Sequence, residues 1–262
     1  MNRADRLDAV LRLLAEDGQI EVDDLVRKLA VSPATARRDL DALASQHLLT
    51  RTRGGARSQS VAYDLPIRYR HEQHAPEKQR IAQAAVRLVA PGAVVGLCGG
   101  TTSTAVAEAL GARPDLMEPS PYPNLTVVTN AINIAAQLLM RPQIKTVLTG
   151  GVVHTRSYEL VGPYSDVVLG RITMDIAFIG VNGIDPVVGP TVHDENEASI
   201  NSLMAERAAR TVLVADSSKI GRRAFATLEL PSATTTTLIT DAGITEEQRL
   251  AFVERGFEVI VA

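Results

Sequence analysis

Along the first 45 residues apolar positions return every three or four places. Leu7, Val10, Leu11 and Leu14 sit at i, i+3, i+4 and i+7, the stripe of an amphipathic helix over residues 2–17, and Gly18 stops it. Val22, Leu25, Val26 and Leu29 repeat the spacing and predict a second, short helix. The turn Ala30-Val31 leads to Ser32-Pro33, which opens a third. Ser32 is a natural N-cap, and Pro33 suits the first helical position, where a missing N–H costs nothing. Ala36, Leu40 and Leu43 give this helix a narrow buried stripe, and three such stripes joined by tight turns share one small core. Leu48-Leu49, followed by Thr50-Arg51-Thr52-Arg53-Gly54-Gly55-Ala56, reads as a basic hairpin with a glycine tip.

From Glu77 the pattern changes to short apolar runs alternating with helical stripes. Ile81, Ala84, Ala85 and Leu88 mark a helix that ends at Pro91-Gly92. Strands are predicted over 93–97, 126–129, 145–148, 175–180, 211–215, 237–240 and 258–261, with helices over 102–110, 131–139, 197–209 and 246–253. Short β-branched runs spaced by helices predict an open, mostly parallel α/β domain with its sheet covered on both faces. The expected organisation is a helical domain over 1–57, a linker over 58–76 with Pro66 and Pro76 among mixed charges, and an α/β domain over 77–262.

Charge and composition narrow the function. Residues 30–60 hold Arg37, Arg38, Arg51, Arg53 and Arg57 against Asp39 and Asp41, a local balance of +3 in a chain whose net charge is -3. A basic surface on an otherwise acidic protein confines polyanion binding to one face. Aromatic residues make up 3% and Trp is absent, which argues against base stacking and hence against a single-stranded target. One cysteine excludes an internal disulfide and a cysteine-based zinc site; no metal and no cofactor are expected. Charge from Arg3 onward and the lack of a long apolar run predict neither a signal peptide nor a membrane span, and so a cytoplasmic protein. Arg37 and Arg38 project away from the stripe of the third helix, free to meet a phosphate or a guanine edge. The segment therefore reads as a winged helix-turn-helix on double-stranded DNA. A plain three-helix bundle with a charged outer face is the competing account, and it leaves the Ser-Pro cap and the basic hairpin unexplained.

In an open parallel sheet, ligands sit beyond the carboxyl ends of the strands, near helix N-termini. Four loops fall there. Cys98-Gly99-Gly100-Thr101-Thr102-Ser103 pairs two glycines with three hydroxyl residues at a helix start, which suits one phosphate group. Thr129-Asn130 ends a strand, and Asn130 serves equally well as an N-cap. Gly150-Gly151 is a tight turn. Asp216-Ser217-Ser218-Lys219-Ile220-Gly221 offers a lysine as a point charge. Asp175, Asn182, Asp185, Asp194, Glu195 and Glu197 add acids and an amide to the same expected rim, as partners for sugar hydroxyls or simply as helix-start acids. Cys98 reads as a small buried residue rather than a redox thiol, because no basic neighbour in sequence lowers its pKa.

These residues resemble a known family. Thr35-Ala36-Arg37-Arg38-Asp39-Leu40 with Arg51-Thr52-Arg53-Gly54-Gly55-Ala56, then Glu77-Lys78, Gly100-Thr101-Thr102, Thr129-Asn130, Gly150-Gly151, Asp175 to Gly183 and Asp216 to Gly221, are similar to the DeoR-type bacterial repressors over nearly the whole chain. The resemblance implies a C-terminal domain related in fold to ribose-5-phosphate isomerase and CoA transferases, without catalytic activity, that senses a phosphorylated sugar or a derivative in a homodimer or homotetramer. It implies DNA contacts from Ser32, Pro33, Thr35, Arg37 and Arg38, with Arg51, Arg53 and Gly54 in the wing. It implies an effector phosphate on Gly99, Gly100, Thr101, Thr102 and Ser103, with Thr129, Asn130, Gly150, Asp175, Glu197 and Lys219 around it. One departure stands out: the family often has Asp-Ser-Gly-Thr-Thr where this chain has Cys98-Gly99-Gly100-Thr101-Thr102, which takes an acid from the loop. Ala36 also stands where the family tends to place a larger aliphatic residue.

Two other functions compete. A sugar-phosphate isomerase or related enzyme would need a carboxylate base beside an electrophile, with Asp175, Asp185 and Lys219 as candidates. The N-terminal domain, which an isomerase does not need, weighs against it. A winged helix serving as a protein-interaction module is the third.

Overall fold

A computed structural model describes residues 3–45, 48–57, 73–155, 157–231 and 235–262. The expected linker falls mostly outside them. The chain divides into two units, Met1–Arg70 and His71–Ala262, each with its own core.

In the first unit the apolar stripes become three helices, α1 (Arg3–Asp17), α2 (Val22–Leu29) and α3 (Pro33–Ser45). Val10, Leu11, Leu14, Leu25, Ala36, Leu40 and Leu43 lose nearly all their surface in one cluster. Gly18 ends α1 as expected: its φ of +72° is left-handed, and its N–H reaches Leu14 O at 2.9 Å. A strand not expected from sequence follows, β1 (Gln19–Glu21), too short to show a period. It joins β2 (Thr50–Arg51) and β3 (Gly55–Arg57) in an antiparallel sheet of order β1-β3-β2. Ile20 opposes Ala56, and both are buried. Gly55 is required here, since a Cβ would stand 1.9 Å from Ile20 O.

The second unit is built on β4 (Val94–Leu97), β5 (Leu125–Thr129), β6 (Ile144–Leu148), β9 (Met174–Gly180), β12 (Ala208–Val214), β14 (Thr237–Thr240) and β15 (Glu258–Val261). These form one seven-stranded sheet of order β15-β14-β12-β9-β4-β5-β6 with every pair parallel. The chain starts in the middle, winds outward through β5 and β6, then returns to the other side of β4. That is the doubly wound order, with its switch point between β4 and β9. Phe178 and Ile179, neighbours on β9, point to opposite faces and are both fully buried. One face is covered by α4 (Ala75–Val86), α5 (Thr101–Gly111), α6 (Pro114–Met117) and α7 (Ile132–Leu138), the other by α8 (Pro163–Leu169), α9 (Glu195–Glu206) and α10 (Glu246–Glu254).

Helix and strand boundaries differ from the sequence pattern at one place that matters. The pattern runs a helix over 197–209, whereas α9 starts at Glu195, capped by Asp194, and stops at Glu206. Ala208 favours helix by propensity, yet it pairs with Met174 in the sheet, and tertiary pairing prevails. Small antiparallel pieces also escaped the pattern. They are the hairpin of β7 (Val152–His154) and β8 (Glu159–Val161), and the sheet of β10 (Gly183–Asp185), β11 (Gly189–Val192) and β13 (Ala226–Thr227).

Candidate functional site

The start of α3 is held as its sequence suggests. Ser32 Oγ accepts from Thr35 N–H at 3.1 Å and lies 2.9 Å from Thr35 Oγ1. Ser32, Pro33, Arg37 and Arg38 are exposed, and Thr35 is half-buried with its hydroxyl on Ser32. Arg37 and Arg38 meet no carboxylate among the described residues. Asp39 is turned inward, where Arg6 of α1 holds it. Arg53 and Gly54 are exposed at the wing tip. Arg51 is a correction: its Nε donates to Asp41 Oδ1 at 2.9 Å and its Nη1 to Gly55 O, so the side chain braces the wing against α3 instead of pointing outward.

In the α/β unit the expected loops lie along one edge of the sheet. The glycine loop follows β4, Asn130 follows β5, Gly150 follows β6, Asn182 follows β9 and Lys219 follows β12. Parallel strands make this inevitable: each chain segment leaves its strand on the same side. Gly100 adopts φ +104°, as glycine allows, and caps α5. The first helical bond runs from Thr104 N to Gly100 O at 3.0 Å, so the N–H groups of Thr101, Thr102 and Ser103 have no helical acceptor. With the helix dipole behind them they favour an anion.

Several residues have other occupations than the sequence suggested. Gly99 N–H is already given to Glu159 Oε1 at 2.9 Å, and a Cβ on Gly99 would stand 2.3 Å from Glu159 Cγ and Cδ. Ser103 is fully buried with its hydroxyl 3.6 Å from Cys98 Sγ. Thr129 Oγ1 accepts from Ala131 N at 3.0 Å, shaping the turn. Asn130 is no N-cap: Ala131 takes that place, and Asn130 is fully buried with its Nδ2 on Glu159 Oε1 and Leu160 O. Gly150 turns at φ +77°, and its carbonyl accepts from Ser165 Oγ at 2.6 Å. Lys219 closes a one-turn 3-10 helix capped by Asp216. Asp175 is at the wrong edge: it lies at the start of β9 and accepts from Val94 N–H at 2.7 Å, beyond the opposite ends of the strands. Asp185 is held by Val187 N, Val188 N and Arg223, a structural role.

What the pattern did not reveal is an acid cluster under the glycine loop. Glu159 of β8 is buried, Glu197 of α9 stands beside it, and His154 Nδ1 of β7 lies 3.3 Å from Glu197 Oε1 and 2.8 Å from Ser157 Oγ. Burial, then the neighbouring Glu197, push Glu159 up to about 8. Burial pushes Glu197 the same way, but hydrogen bonds from His154 and Ser157 outweigh it and hold Glu197 below the usual range. The hydrogen bond to Glu197 raises His154. The Cys98 thiol, buried and near Glu159, rises to about 12 and is inert as a nucleophile.

A winged helix-turn-helix unit followed in sequence by a doubly wound α/β unit, with a glycine loop at the switch point, defines a class of ligand-responsive DNA-binding regulators. The comparisons give the family. Residues 6–61 match the DeoR-like helix-turn-helix domain, and residues 73–242 match the DeoR C terminal sensor domain. The chain belongs to the DeoR family of transcriptional regulators and is not an enzyme. It is 30% identical to the glycerol-3-phosphate regulon repressor of Escherichia coli (strain K12) over 86% of each chain. It is 34% identical to the HTH-type transcriptional regulator GlpR of Haloferax volcanii over 85% of this chain and 84% of that one. It is 30% identical to the HTH-type transcriptional repressor CsqR of Escherichia coli (strain K12) over 90% and 87%. Among solved structures it resembles ribose 5-phosphate isomerase A of Methanocaldococcus jannaschii, with a TM-score of 0.42 and 19% identity over 56% of this chain and 55% of that one. Full-length SorC of Klebsiella pneumoniae gives 0.38 and 12% over 84% and 90%. Among the described residues no helix is long and apolar enough to cross a membrane.

Proposed function

We propose that this regulator is a cytoplasmic repressor that binds double-stranded operator DNA as a homodimer or homotetramer, and that a phosphorylated sugar or sugar derivative controls it. The observations that support the ligand half are that five strand-end loops lie at the carboxyl edge of one parallel sheet and that the start of α5, among them, has three N–H groups without helical acceptors. The phosphate rests on Gly100, Thr101 and Thr102, with Lys219 as a point charge from across the switch point. Arg37 and Arg38 read the major groove, while Ser32 and Pro33 set the start of their helix and Arg53 and Gly54 follow the adjacent backbone. The names of relatives, a glycerol-3-phosphate regulon repressor among them, support a phosphate ester as the effector class. A coupling of roughly 1–3 kcal/mol between the sites changes operator affinity severalfold to about a hundredfold.

The test is operator binding by fluorescence anisotropy on fragments flanking the protein's own gene, repeated with a panel of sugar and polyol phosphates. Specific binding that at least one ester shifts is expected, and in Lys219→Ala the shift shrinks while unliganded binding stays. Equal affinity for every DNA fragment removes the regulator's operator role. An unaltered dose response in Lys219→Ala removes Lys219 from the pocket.

A further inference from the structure

Three titratable side chains from three elements converge below the glycine loop; of these only Glu197 was expected near the effector, and the phosphate site proposed above gives Glu159 and His154 no task. Glu159 of β8 accepts from Gly99 N–H and Asn130 Nδ2; Glu197 of α9 stands between Glu159 and His154 of β7; Asp194, the cap of α9, also faces His154. Their accessibility is graded. His154 and Glu197 keep 33% and 12% of their side-chain surface, while Glu159 keeps 4% of its surface.

Charge balance decides what such a floor admits. Two buried carboxylates in contact do not both ionise without a large cost. Burial and the neighbouring Glu197 push Glu159 up to about 8, so at neutral pH the pair carries its charge on Glu197, beside His154, whose pKa Glu197 raises. A second observation is independent of protonation. Asn130 is fully buried, its amide nitrogen serves Glu159 and Leu160 O, and its Oδ1 has no partner among the described residues. A buried acceptor left so is costly, and a donor from a ligand hydroxyl or an ordered water satisfies it.

We propose that Glu159, Glu197 and Asn130 form a selectivity floor that admits phosphate esters of polyhydroxyl compounds and excludes esters carrying a carboxylate beside the phosphate. A hydroxyl brings a donor for Asn130 Oδ1 and adds no charge. A carboxylate brings no donor and sets a third acid against a pair that holds only one negative charge. Gly99 is part of the device, because only a residue without a side chain leaves Glu159 its place.

This inference rests on the phosphate-ester reading above, and the experiment separates the two. Calorimetry on the full chain compares matched esters, glycerol 3-phosphate with 3-phosphoglycerate and ribose 5-phosphate with 5-phosphoribonate, with inorganic phosphate as the reference. In at least one pair the hydroxyl ester is expected to bind at least about tenfold more tightly than its acid. Asn130→Ala removes the advantage of that ester over inorganic phosphate but leaves phosphate binding in place. Equal binding within each pair overturns the selectivity floor and leaves the phosphate reading standing. No binding of any ester overturns both. The comparison in the unaltered protein needs no variant to fold.

Discussion

Arg6 of α1 and Asp39 of α3 form a two-pronged pair, Nε to Oδ2 at 2.5 Å and Nη2 to Oδ1 at 3.1 Å, with Asp39 buried beside the exposed Arg38. The pair fixes the rotation of α3 about its own axis, which keeps Arg37 and Arg38 outward. Asp39→Asn is expected to lower the melting temperature of the chain and weaken binding to every DNA sequence alike, since it blurs the helix rather than one base contact. Circular dichroism and anisotropy check this. Unchanged melting with unchanged affinity removes the pair's positioning role.

Arg38→Ala and Arg53→Ala separate reading from anchoring. A base-edge contact costs about 1–3 kcal/mol on removal and relaxes preference at one position, whereas a phosphate contact weakens all sites and lowers the salt slope by about one. Arg38→Ala is expected to behave in the first way and Arg53→Ala in the second. Titrations at several salt concentrations distinguish them, and wild-type operator affinity in Arg38→Ala rules out α3 as the recognition helix.

Gly99→Ala forces a Cβ to within 2.3 Å of Glu159. Overpacking of this kind costs about 1–3 kcal/mol. In a Glu159→Ala background the same change is expected to cost much less, so a double-mutant cycle in urea gives a coupling on the order of 1 kcal/mol or more. Additive costs would mean that the two positions do not interlock.

Stability follows the proton on Glu159. Its folded value is raised from 4.5 to about 8, so folding takes up a proton between those limits. Stability from this group is full below 4.5 and declines as pH rises through about 8, with a slope of at most about 1.4 kcal/mol per pH unit. His154, raised from 6.5, adds to the decline above that value, and Glu197, lowered from 4.5, acts below the window. Glu159→Gln is expected to flatten the curve between pH 5 and 6.5, roughly the part His154 leaves alone. Urea unfolding at several pH values measures it. A slope unchanged by the substitution places the proton elsewhere.

The strands of the parallel sheet were readable because each is a short apolar run with helices between, and the runs at 126–129 and 237–240 match β5 and β14 closely. The glycine loop was readable because Gly100 needs a left-handed backbone at a helix start. Glu159 was not. It sits on a three-residue strand with no period, and its burial depends on Gly99, 60 residues away in the chain. Asp175 misled for the opposite reason: a strand-end acid in sequence gives no direction, and it belongs to the beginning of β9, not to its far end. Arg51 misled because a basic residue in a hairpin looks free until Asp41 is placed beside it.

The loops that gather at the carboxyl ends of the sheet come from positions as far apart as Gly99 and Lys219, and β12 must already be laid beside β9 before they share a space. A chain clipped short of β12 keeps the glycine loop with Glu159, Glu197 and Asn130 beside it but loses the loop that carries Lys219, so on the reading proposed above it would keep part of the pocket without its point charge.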